Sequence, residues 1–152
     1  MQRMALELDC PAAFALSDWV DVRLSRGEAG SFLYIQNYAD DPIETTVAWQ
    51  GEPLCGGQPI VLPARQGAIL PLDWHAAEGV VVHYATAEVR AVERGAGSLI
   101  FRLAHESFAA ELGLSGWGCA GAELLPGTVP PRLRLHGRDG RIVLHREGTA
   151  LS

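Results

Sequence analysis

Residues 43–49, 99–103, 108–114 and 132–136 each alternate apolar with polar side chains, and turn residues fill the gaps between them. Alternation sends successive side chains to opposite faces of an extended backbone, so each stretch presents one dry face and one wet one. No stretch of comparable length carries the 3.6-residue spacing of a long amphipathic helix. The pattern predicts an all-β fold.

Followed along the chain, residues 18–24 read as a strand with Val20, Val22 and Leu24 inward and Trp19, Asp21 and Arg23 outward. A glycine turn at 27–30 and an aromatic-rich strand at 31–38 make this a hairpin, which Asp40-Asp41-Pro42 ends because proline restricts both itself and its predecessor. Residues 43–49 put Ile43, Thr45, Val47 and Trp49 on one face, with Trp49 expected in the core. A glycine-proline loop follows at 51–57, then short strands at 60–62 and 68–72. Residues 79–90 form the longest extended segment, and its consecutive Val80, Val81 and Val82 suit a strand held between two layers. Residues 108–114 place Phe108, Ala110, Leu112 and Leu114 inward, although Ala109, Ala110 and Glu111 also suit a short helix. Strands at 98–104, 120–125, 131–136 and 141–145 complete the series, with Gly137-Arg138-Asp139-Gly140 as the clearest hairpin turn. About ten short strands at this spacing predict an antiparallel β-sandwich. Its expected extent is 12–148, with a tail or linker at 1–11 and a short tail at 149–152.

Composition narrows the class. A chain of 152 residues with 48% hydrophobic and 20% charged residues can build a real core, and disorder is excluded. No apolar run approaches the ~20 residues that span a bilayer, and the N-terminus lacks the apolar region of a signal peptide. A cytoplasmic protein without membrane partners is expected. The net charge of −6 argues against nucleic acid. All twelve basic residues are arginine, and Arg132, Arg134, Arg138, Arg141 and Arg146 cluster near the C-terminus. Arginine forks suit carboxylates or phosphates, but a solvated strand face is the plainer reading. Cys10, Cys55 and Cys119 are widely separated and read as buried or free thiols, neither a zinc site nor a disulfide framework.

No catalytic constellation stands out. Asp40 and Asp41 are adjacent and point apart, and nothing pairs Glu88 with a second carboxylate. His75, His83, His105, His136 and His145 show no metal-ligand spacing; His136 and His145 could face each other across the last hairpin, an arrangement more typical of solvated imidazoles. Ser115 does not complete the G-x-S-x-G pattern of a nucleophile elbow, and Gly56-Gly57 reads as a turn. No catalytic residue, metal or cofactor is expected. The tryptophans carry more information, because sugars stack their C–H faces on indoles. Trp19 lies on the polar side of its strand, while Trp74 and Trp117 fall in loops beside Asp73, His75 and glycines. These three are the candidate carbohydrate-binding residues; the competing reading is that they plug the ends of sheets.

Two stretches carry a family resemblance. One contains Phe32-Leu33-Tyr34-Ile35-Gln36-Asn37-Tyr38, Glu44-Thr45-Thr46-Val47 and Leu62-Pro63-Ala64-Arg65-Gln66-Gly67-Ala68-Ile69-Leu70-Pro71-Leu72; the other is His83-Tyr84-Ala85-Thr86-Ala87-Glu88-Val89. Together they resemble the β-region that follows the catalytic barrel in bacterial glycoside hydrolase family 35 β-galactosidases. Those enzymes hydrolyse terminal β-galactosides with two glutamates on a (β/α)₈ barrel. A barrel needs roughly 200 residues or more, and no βαβα pattern exists here, so no catalytic residue transfers. The resemblance implies a non-catalytic accessory domain, expected to be an excised piece of a longer hydrolase. Its implied partner is the barrel or another protein domain, with a galactoside or glycan as a further candidate. A stand-alone carbohydrate-binding module and a protein-interaction domain are the alternatives.

Overall fold

The structure is a computed structural model that describes residues 20–49, 52–128 and 132–147. Trp19 and Cys10 lie outside the described residues, as does the side chain of Trp49. The described residues form fifteen strands: β1 Val20–Gly27, β2 Gly30–Asn37, β3 Ile43–Thr45, β4 Ala48–Trp49, β5 Glu52–Pro53, β6 Ile60–Leu62, β7 Gly67–Ala77, β8 Val80–Ala85, β9 Val89–Gly95, β10 Ser98–Leu103, β11 Phe108–Leu114, β12 Trp117–Gly118, β13 Glu123–Leu125, β14 Arg132–Gly137 and β15 Arg141–Arg146. A single 3-10 turn, Cys55–Gly57, interrupts them. The all-β expectation holds, and 108–114 is a strand rather than a helix.

A seven-stranded sheet in the order β1-β2-β7-β8-β11-β14-β13 is the backbone of the fold, and a four-stranded sheet β12-β15-β10-β9 packs against part of it. Two small ladders, β3-β6 and β4-β5, belong to the excursion between β2 and β7. Every ladder is antiparallel. The large sheet buries opposite faces in its two halves. In β1, β2 and β7, the side chains of Val20, Val22, Leu33, Ile35, Leu70 and Leu72 pack under Val47, Cys55, Ile60 and Leu62 of the excursion. In β8, β11 and β14, Val80, Val82, Ala110, Leu112 and Leu135 pack against Leu99, Phe101, Ile142 and Leu144 of the four-stranded sheet.

Buried Asn37 fastens the excursion to the sheet. Its amide nitrogen donates toward the carbonyls of Asp41, Leu62 and Pro63 at 2.9, 3.3 and 3.2 Å, and its carbonyl oxygen accepts the Ala39 N–H at 2.8 Å. A side chain at 0% exposure survives there because its hydrogen bonds replace those it made to water.

Three local expectations change. The 79–90 segment breaks at 86–88 and switches sheets, so β7, with 11 residues, is the longest strand. The break is secured at Thr86, whose N–H donates to the Ala109 carbonyl and whose hydroxyl accepts the Ala109 N–H, both at 2.9 Å. The 43–49 segment divides into β3 and β4, which pair with different partners. The Gly137–Gly140 turn is not a hairpin: β14 pairs with β11 and β13, whereas β15 pairs with β10 and β12. Leu135 on β14 and Ile142 and Leu144 on β15 enter the same core from opposite layers, which a paired hairpin would not allow. His136 and His145 therefore sit in different sheets.

Candidate functional site

Because the excursion covers only one face of β1, β2 and β7, the other face is open beside the β9 edge. Cross-strand register sets its rows. Arg23, Tyr34 and Ile69 lie side by side across the three strands; Asp21, Gln36 and Gly67 form the next row, and Phe32 pairs with Pro71. Tyr34 and Ile69 are each 41% exposed, an unusual state for large apolar groups at the centre of a sheet.

Trp74 closes one end of this face. Its ring centroid lies 6.1 Å from that of Phe32 and 6.0 Å from that of Phe101, the latter edge-on at 77°. Phe101 is fully buried, so the half-buried indole is anchored from below while its rim borders open space. The approach of β7 here depends on Gly30 (φ +140), where a Cβ would sit 2.6 Å from both the Asp73 carbonyl oxygen and the Trp74 Cα. The His75 N–H donates to the Ala29 carbonyl at 2.7 Å and holds the same contact.

Two hollows share Ile69 and Glu88 as lining and so form one trough. The first, about 450 Å³, is bounded by Phe32, Pro71, Trp74 and Arg90; the second, about 390 Å³, by Asp21, Arg23, Tyr34 and Gln36. Glu88 has a structural task. Its carboxylate accepts the Ile69 N–H at 2.8 Å, where β7 outruns the end of β8, and Pro71 two residues on has no N–H to satisfy. Arg90 Nε lies 3.7 Å from the other Glu88 oxygen.

The three candidate tryptophans part company. Trp74 borders the trough, and Trp19 is outside the described residues. Trp117 is a core residue, 8% exposed, with its Nε1–H donating to the Glu78 carbonyl at 3.1 Å and the Arg146 guanidinium 4.9 Å over its ring. That covered ring offers no stacking platform. Phe32 and Tyr34 were not singled out from the sequence, although they occupy the even-numbered positions of 31–38, opposite buried Leu33 and Ile35. That alternation was the available signal.

Elsewhere among the described residues, Cys55 and Cys119 are free thiols, and no three His, Cys, Asp or Glu side chains converge as a metal would need. No described helix is long and apolar enough to cross a membrane. No protein-family model matches this chain, and no curated protein sequence matches it either.

Proposed function

We propose that this chain is a non-catalytic β-sandwich accessory domain that contacts carbohydrate through the trough over β1, β2 and β7. The observation that carries the reading is the row of partly exposed rings, Phe32, Tyr34 and Trp74, edged by Asp21, Arg23, Gln36 and Arg90. Rings accept the C–H faces of a sugar, and the bordering groups accept from and donate to its hydroxyls. The motif resemblance to the β-region of family 35 β-galactosidases supports a galactoside as the sugar and a catalytic barrel as the neighbour. A weak site is expected, since a Kd near 1 mM corresponds to only about −4 kcal/mol.

Titration of tryptophan fluorescence with galactose and a β-linked galactobiose tests the proposal. The expected result is a saturable change that Tyr34→Ala weakens about tenfold, the loss of roughly 1.4 kcal/mol. A chromogenic β-galactoside should stay intact. No saturable response to either sugar, or hydrolysis by the chain itself, overturns the reading. A second reading, docking of another domain on this face, is favoured by the exposed Ile69 at its centre, which makes no hydrogen bond from its side chain.

A further inference from the structure

Covering the faces of the large sheet still leaves hollows and edges. An ionic cleft of about 500 Å³ beside β8 and β11 is self-contained: His83 Nδ1 lies 2.7 Å from Asp73, and Arg132 Nη1 donates to Glu111 at 3.3 Å. The edge of the sheet at β1 is not self-contained.

A strand edge presents unpaired N–H and C=O groups, and proteins blunt such edges by shortness, bulges, proline or charge. Among the described residues, three of the four edges of the two main sheets are blunted in these ways. β12 and β13 have only two and three residues. β9 carries exposed Arg90, Glu93 and Arg94, and its register with β10 shifts between Arg102 and Leu103. β1 differs: it has eight residues, no proline, and an unbroken register with β2 from Val20–Asn37 to Gly27–Gly30. Its charges are its one protection, and at its centre they come in opposite signs, Asp21 and Arg23.

Alternation fixes which backbone groups are on offer. The two-residue loop Glu28-Ala29 makes Gly27–Gly30 the closing hydrogen-bonded pair of the hairpin. Counting back by twos, Ser25, Arg23 and Asp21 commit their backbone groups to β2, while those of Leu24, Val22 and Val20 point off the edge. The side chains of Val20 and Val22, each 2% exposed, face the first core, and Asp21 and Arg23 lie on the trough side.

We propose that β1 pairs antiparallel with β1 of a second copy of this chain, about a twofold axis at Val22, joining the two large sheets into one. This register sets Val22 opposite the partner's Val22, Val20 opposite the partner's Leu24, and Asp21 opposite the partner's Arg23. The backbone groups that point off the edge then meet their like, giving about six hydrogen bonds. Symmetry makes both acid–arginine contacts at once. An axis at Asp21 or at Arg23 would instead set like charges against each other, and an axis between two residues would set offered groups against committed ones. The interface is small, so a dimer of micromolar affinity is expected. The pairing does not depend on the function proposed for the trough.

Sedimentation equilibrium of the full chain, from low to high micromolar concentration, tests the proposal, with amide exchange at Val22 and Leu24 as the local readout. A monomer–dimer equilibrium is expected, with exchange at both amides slowing as concentration rises. Asp21→Arg and Arg23→Asp should each weaken the dimer about tenfold, by placing like charges across the axis. The double variant Asp21→Arg/Arg23→Asp should restore the affinity to within about threefold, and it carries the test if a single variant does not fold. A monomer at every concentration overturns the proposal; if its Val22 amide is protected throughout, the chain's own residues 1–19 occupy the edge. A dimer indifferent to both charge reversals, or a folded double variant that stays monomeric, overturns it as well.

Discussion

The two halves of the seven-stranded sheet expose opposite faces of very different character. Over β1, β2 and β7 the open face carries Phe32, Tyr34, Ile69 and Trp74, part-solvated rings and aliphatics whose contacts tolerate water. Over β8, β11 and β14 it carries Tyr84, Glu111, Arg132 and Arg134, where polar atoms have already been withdrawn from solvent. The first kind of surface gains by covering apolar area, which is roughly proportional and forgiving of shape. The second gains only from contacts whose hydrogen-bond geometry is good, and loses where it is not. The change of face occurs at Asp73 (φ +50) and His83, between the Leu72–Tyr84 and Trp74–Val82 pairs. One kink in a continuous sheet thus lets two covering layers sit on opposite sides.

The sharpest way to break the contrast is Phe101→Ala, which removes the ring that anchors Trp74 and opens the second core. A loss of about 3–5 kcal/mol in urea unfolding is expected, with a shift in tryptophan emission; a loss as small as a surface substitution would separate the aromatic face from that core. Alkaline pH acts on the wall between the first core and the ionic cleft. Burial pushes the Cys55 thiol up from 9.0 to about 12, so folding favours its neutral form. That contribution is fully present below pH 9 and is lost as pH rises from 9 toward 12, by an amount of order a few kcal/mol. Unfolding midpoints of wild type and Cys55→Ala measured across that window should differ in slope, and parallel curves would contradict it.

Asn37→Ala tests whether the excursion must be pinned for one face to be covered and the other open. Its hydrogen bonds to the 39–63 segment predict a cost of about 1–3 kcal/mol, together with faster amide exchange at Ala39. Tyr84→Phe should be nearly neutral or stabilising, within about 1 kcal/mol, because no partner is orphaned. A large destabilisation would show that the hydroxyl is already satisfied. Arg146→Ala, which uncovers the Trp117 ring on the far layer, should cost only about 0.5–1 kcal/mol and leave the sugar titration of the trough unaltered.

Much of the strand pattern was legible because alternation with period two is written locally. Residues 20–27, 30–37, 98–103 and 108–114 are strands near where the pattern placed them. The breaks were not legible: residues 79–90 read as one continuous strand, and only the Thr86–Ala109 hydrogen bonds show why the chain leaves one sheet there for the other. Gly137-Arg138-Asp139-Gly140 carries the residues of a hairpin turn and makes a crossover between layers instead. The candidate site was legible in part. Trp74 was found by residue type, Trp117 proved to be core, and the rings beside Trp74 emerged only from register. The arginine cluster read as a solvated face, yet Arg134 Nε is buried and Arg132 reaches Glu111 across the sheet.

The sequence by itself determined that the chain pairs extended strands and which side chains of each strand seek a dry face, because both follow from neighbours one or two residues apart. Tertiary structure alone decided which layer covers which half of the large sheet. That choice rests on contacts between residues such as Asn37 and Leu62, or Trp74 and Phe101, whose separation along the chain leaves no local trace. The aromatic trough and the ionic cleft are what remains uncovered once it is made.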